Sequence, residues 1–199
     1  MRRWLAMILT ALALAGCAST RLDAQWTSPE IAGRRIEGKV LVVALTRDET
    51  VRRLYEDEMA ARLAARGVAP IRSYTVLAGP LTADASAAVL AAARGAGATA
   101  VLSSALLGQE RAQRVIVEPL PAWAWGYGGW FDHYWSFAYT RTEVRTFERY
   151  VAGTSLTDVA SGKLLWTART HTDAPANIER EIRAFAAVIV DALSAAGLL

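Results

Sequence analysis

Few residues in this chain of 199 are equipped for chemistry, since it carries one cysteine and two histidines. The cysteine, Cys17, closes the run Leu14-Ala15-Gly16-Cys17. A thiolate can act as a nucleophile, a metal ligand or a disulfide partner, and what precedes this one narrows the choice. Arg2 and Arg3 give a positive start, Trp4 to Ala15 form an apolar run of twelve residues, and small residues stand directly before the cysteine. That is the layout of a secretory signal with a processing point. A membrane-spanning helix needs about twenty apolar residues, and this run falls short.

Leu-Ala-Gly-Cys resembles a bacterial lipobox. The resemblance implies that the Cys17 thiol receives a diacylglyceryl group, that residues 1–16 are removed as a signal peptide, and that the new amine is acylated. The lipid is the one covalent group expected, and no other cofactor is. Two or three acyl chains anchor stably where one binds marginally, at about 0.8 kcal/mol per buried methylene, so a membrane is the first expected partner. Ala18 stands where an aspartate would resemble an inner-membrane retention signal. For a Gram-negative host this favours the outer membrane, with the domain facing the periplasm. Alkylation of Cys17 leaves no thiol for a disulfide, a metal site or nucleophilic catalysis.

The remaining candidates are weaker. His133, beside Asp132, and His171 lack the three or four converging ligands that a metal needs, and read as solvated or hydrogen-bonded. Arg52 with Glu56 and Arg53 with Asp57 are pairs four residues apart, worth a few tenths of a kcal/mol each on an exposed helix face. No phosphate loop, serine elbow, paired-histidine zinc motif or dinucleotide fingerprint is present. The expectation is a protein that is not an enzyme. Arg2 and Arg3 supply two of the formal +3 charges, so the chain after Cys17 is close to neutral, and nucleic acid is not an expected partner.

Pro119 to Tyr139 is compositionally distinct. Trp123, Trp125, Tyr127, Trp130, Phe131, Tyr134, Trp135, Phe137 and Tyr139 place nine of seventeen aromatics in one segment, broken by Gly126, Gly128 and Gly129. Trp123, Trp125, Tyr127, Trp130, Tyr134 and Trp135 are the candidate binding residues. Such rings suit lipid headgroups, where an apolar body meets a polar tip, or recognition of a glycan or an extended peptide. The bland alternative is a long hairpin connection whose rings fold back onto the sheet or pack in an oligomer, because large exposed apolar patches are rare without a partner.

The 182 residues after Cys17 in this chain suffice for one domain with a single core. Residues 17–38 show no period and read as a lipidated tether, in which Trp26 and Pro29 are the residues expected to dock. Residues 39–199 read as a single α/β domain. Lys39 to Leu45 is a β-branched-rich run suited to a strand buried on both faces. Thr46-Arg47-Asp48-Glu49 fits a capping box, and Val51, Leu54, Tyr55, Met59 and Leu63 recur at helical spacing before Gly67. Val68 to Tyr74, Asp84 to Arg94 and Thr99 to Leu107 continue as strand, helix and strand. Arg111 to Glu118 and Thr140 to Asp158 alternate as antiparallel strands do. A turn at Asp158-Val159-Ala160-Ser161-Gly162-Lys163 leads into a strand from Leu164 to His171. In the closing helix, Pro175 to Ala196, the residues Ile178, Ile182, Phe185, Ile189 and Leu193 form an apolar stripe, expected on the sheet face that the first helix leaves open. The fold class is α+β, an α/β sandwich with a mixed sheet packed with helices.

This order resembles a family of uncharacterised bacterial periplasmic lipoproteins with a Gly/Trp/Tyr-rich insertion. The matching residues are Trp26, Pro29, Lys39-Val40-Leu41-Val42-Val43, Arg52-Arg53 with Glu56, Gly67, Ser73-Tyr74, Gly97 to Leu102, and Leu156 to Trp166 around Ser161-Gly162-Lys163. The resemblance implies a domain similar to the amino-terminal domain of TolB and the periplasmic domain of the curli secretion channel CsgG. It brings no catalytic residues. The lipid anchor, the compact domain and the aromatic insertion, together with the lack of a catalytic constellation, point to a membrane-anchored, non-enzymatic binding or interaction module whose expected partner is an envelope protein or a glycan. The alternative is a subunit of an oligomeric outer-membrane secretion or pore assembly; Arg111, Arg114, Arg141 and Arg145 suit a lipid-facing wall poorly.

Overall fold

The computed structural model describes residues 20–81, 85–118, 141–175 and 177–199. They form an α+β fold. The strands are β1 (Thr20–Thr27), β2 (Lys39–Leu45), β3 (Ala69–Arg72), β4 (Ala98–Glu118), β5 (Arg141–Asp158) and β6 (Leu164–Asp173). The helices are α1 (Glu49–Ala65), α2 (Ser86–Gly95) and α3 (Ile178–Ala195), with a short 3-10 turn at Ser73–Thr75 after β3. One six-stranded sheet runs in the order β1-β6-β5-β4-β2-β3. β2 is parallel to β3 and β4, and the other neighbours are antiparallel.

The continuous apolar run of β2 is buried on both faces, as read from its composition. Val40, Val42 and Ala44 face Tyr55, Met59 and Leu63 of α1 and Ile182, Ile189 and Leu193 of α3. Leu41 and Val43 face Val89 and Ala93 of α2. Each fully buried Leu or Met here contributes roughly 1.5–3 kcal/mol relative to exposure. The closing helix therefore lies beside α1 and not on the opposite face; Tyr55 and Phe185 bring their ring centroids within 5.8 Å. The other face belongs to α2, because β2 needs apolar cover on both sides and α2 supplies the second.

Three further expectations are corrected. Within residues 17–38, Thr20–Thr27 forms a strand paired with β6, while Trp26 and Pro29 stay exposed. Docking falls instead to Ile31 and Ile36, which pack against the core. Asp48, not Thr46, caps α1, its Oδ1 accepting from Thr50 N at 2.9 Å and Val51 N at 3.1 Å. Thr99–Leu107 and Arg111–Glu118 are one strand of 21 residues, β4, interrupted only by a register shift between Leu106 and Gly108.

Gly67 ends α1 as expected. At φ +83° its N–H reaches Ala64 O, and Val68 N reaches Leu63 O, the paired closing bonds of a Schellman motif. The turn between β5 and β6 is likewise as read. Asp158 Oδ2 accepts from both Ser161 Oγ and Ser161 N at 2.6 Å, and these bonds hold its carboxyl below the usual value. A depressed folded-state pKa gives stability that is full above the unfolded value, about 3.9 for Asp, and lost as pH falls through the folded one. Asp158→Asn, which keeps an acceptor without the charge, is expected to lower the thermal midpoint at neutral pH and to match the parent once the pH falls below the folded value. An offset between the two proteins that stays constant with pH would contradict this.

Candidate functional site

A groove of about 550 Å³ lies on the α1 and α3 side of the sheet. Its floor crosses four neighbouring strands, from Ala44 and Leu45 of β2 through Ser104 and Leu106 of β4 and Ala152 of β5 to Thr172 of β6. Val51 and Tyr55 of α1 form one wall, and Ile178, Ile182 and Phe185 of α3 the other. The volume lies within the range of roughly 300–1,000 Å³ typical of ligand pockets.

Two local causes keep the groove open. The apolar stripe of α3 begins before the helix reaches the core, so Ile178 is 55% exposed at the rim while Ile182 is buried. The bulge in β4 throws two consecutive leucines outward. Leu106 at the groove is 60% exposed, and Leu107 is 62% exposed and lies over Gly153. Ala174, just before α3, has φ 47°, a conformation an L-residue keeps only where surrounding contacts impose it; its N–H donates to Glu148 O at 2.8 Å.

The floor also carries a polar strip. The Tyr55 hydroxyl bonds Ser104 Oγ at 2.7 Å, and Ser104 Oγ bonds Thr154 Oγ1 at 2.8 Å. Burial is the main cause raising the Tyr55 pKa, with the Ser104 bond partly opposing it, so this phenol stays protonated at any physiological pH. Of these three residues, Tyr55 and Ser104 line the largely apolar trough, while Thr154 lies buried behind them. At the rim, Asn177 caps α3 by accepting from Arg180 N at 2.9 Å, and Glu181 bonds Arg180 at 3.1 Å.

A second polar cluster lies beside the groove and corrects the surface reading of Arg52 and Glu56. Both side chains are fully buried and paired at 3.3 Å. Arg52 donates to Ser73 Oγ at 2.9 Å, Leu77 O at 3.0 Å and Gly79 O at 2.5 Å. Glu56 accepts from Ala44 N at 3.1 Å, Ser73 Oγ at 2.5 Å and Tyr74 N at 3.0 Å. The pair thus fastens the connection after β3 to the end of β2. Arg53 and Asp57 are exposed as expected but do not pair with each other. Arg53 meets Glu49 at 2.9 Å, and Asp57 meets Arg72 and the Tyr74 hydroxyl.

His171 is hydrogen-bonded, as expected, to Asp23, which sits at the bulge of β1. Among the described residues no group of three His, Cys, Asp or Glu side chains is placed to hold a metal. Cys17, Asp132, His133 and the candidate binding residues Trp123, Trp125, Tyr127, Trp130, Tyr134 and Trp135 lie outside the described residues. The groove was not anticipated from the sequence. Its lining comes from separate elements with no shared motif, and its one visible sign was an apolar stripe on α3 starting earlier than the core requires.

An α+β domain with an apolar groove between its two long helices and its sheet is the class these features define. No protein-family model and no curated protein matches the chain. Among solved structures, the chain is similar to the PelC dodecamer from Paraburkholderia phytofirmans. That match has 19% identity and a TM-score of 0.46, covering 90% of this chain and 99% of that one. It is also similar to lipoprotein GNA1162 from Neisseria meningitidis, with 15% identity and a TM-score of 0.43, covering 80% of this chain and 96% of that one.

Proposed function

We propose that this chain is a lipoprotein held by acyl chains on Cys17 at the periplasmic face of the outer membrane, and that it works by binding rather than by catalysis. Its groove takes an apolar chain. The observation that carries the reading is the groove itself: wide enough for a ligand, walled by Val51, Ile178, Ile182 and Phe185, with the polar residues Tyr55 and Ser104 in its lining. The leader before Cys17 directs export and is removed, and the acyl chains on Cys17 are the anchor. Among the described residues no helix is long and apolar enough to cross a membrane, a statement that leaves strands aside.

Two readouts test this. Cells fed labelled palmitate are expected to label the parent protein but not Cys17→Ala, and the variant is expected to leave the membrane fraction. The purified Cys17→Ala protein is expected to bind a fluorescent long-chain fatty acid, with binding weakened at least tenfold by Leu106→Asp at the exposed rim. Unlabelled parent protein would overturn the anchor. Fatty-acid binding indifferent to Leu106→Asp would overturn the groove.

A further inference from the structure

The first described residue is not remote from the groove. Thr20 opens β1, is 2% exposed, and pairs in register with Thr172, with their hydroxyls 2.8 Å apart. Thr172 is itself a lining residue at the β6 end of the groove. Cys17 stands three residues earlier, and three residues span at most about 11 Å when fully extended. Any group carried on Cys17 therefore originates within about 11 Å of Thr20 and, one strand spacing further, within about 16 Å of the groove's edge residue Thr172. From there the floor crosses β6, β5, β4 and β2, three strand spacings or about 14 Å.

From this placement we infer that the occupant of the groove is one of the chain's own acyl groups, carried on Cys17 and folded back past Thr172 between α1 and α3. The inference rests on the lipoprotein reading above. Three features favour this occupant over a free lipid. The tether is short, so the local concentration of the attached chain is high and a competing free chain is at a disadvantage. The rim beyond that entrance is apolar, with Ile178 of α3 55% and Leu106 of β4 60% exposed. A fully processed Cys17 carries three acyl chains, and two suffice for stable anchoring, so one can be withdrawn without releasing the protein.

The test uses the full-length protein in its own membranes. Cells are fed a diazirine-bearing palmitate, irradiated, and the protein is digested and mapped. The expected result is a crosslink from the Cys17 lipid to the segments holding Leu106, Ile178 or Phe185 of the same chain. Leu106→Asp should reduce it at least tenfold while leaving the Cys17 label intact. Crosslinks confined to bulk lipid or other proteins, or joining two copies, would overturn the inference and leave the groove reading standing. Loss of the label from Cys17 would overturn inference and anchor together. Fatty-acid binding by Cys17→Ala reports separately on whether the groove takes an apolar chain at all, and equal binding by the acylated parent would show that its own chain is not the occupant.

Discussion

Arg52→Ala is expected to destabilise the domain by about 3–5 kcal/mol, the range for removing one partner of a buried ion pair. Both side chains of the Arg52–Glu56 pair have no solvent exposure, so truncation leaves a carboxylate in the interior without its counter-charge. It also releases Leu77 O and Gly79 O, which Arg52 holds. A domain's whole stability is roughly 5–15 kcal/mol, so the variant should unfold at far lower urea concentration. Arg53→Ala, one residue away but paired on the surface, should cost less than about 1 kcal/mol. Arg52→Met with Glu56→Met should recover part of the loss and not all, because the Ala44 and Tyr74 amides would keep no acceptor. Equal midpoints for Arg52→Ala and Arg53→Ala would refute the account.

Trp166→Ala is expected to cost about 3–5 kcal/mol as well, by cavity formation. Trp166 is fully buried between its sheet neighbours and α3 in the larger core cluster. Its indole N–H has no hydrogen-bond partner among the described residues, which separates this site from most buried tryptophans. Trp166→Phe keeps a ring and removes an unsatisfied donor, so it is expected to cost less than about 1.5 kcal/mol. If Phe proved as damaging as Ala, the N–H would have to be bonded and the packing account would fail. Urea midpoints of the three proteins decide it.

These two positions also mark the limits of sequence reading here. Trp166 follows a turn with clear Asp and Gly signals, so its strand was legible, and the structure adds that its side chain is fully buried. Arg52 and Glu56 were legible only in spacing. Arg52, Glu56, Met59 and Leu63 step by four, three and four, the period of a buried stripe, yet charged side chains at such positions normally signal the wet face. What inverts that expectation is the carbonyls and amides after β3, distant partners that no local pattern announces. β1 was missed for the opposite reason. An edge strand exposed along most of its length buries no face, and without a buried face there is no alternation to read. The groove depends on where several elements stop relative to one another, and boundaries are the part of a sequence reading that is least determined.

The length of β4 and β5 has a mechanical consequence. β6 accompanies β5 only as far as the pair Arg149 and Asp173, whereas β4 and β5 stay paired out to Glu118 and Arg141. Beyond Arg149, residues 111–118 and 141–148 run as a ribbon of two strands for roughly 24 Å at about 3.4 Å per residue, with no third strand among the described residues. A two-stranded ribbon is marginal by itself in water. It is a cantilever, rooted in a stiff sheet and compliant toward its tip, so a load applied near Glu118 and Arg141 would bend the ribbon long before it disturbed the groove at its root.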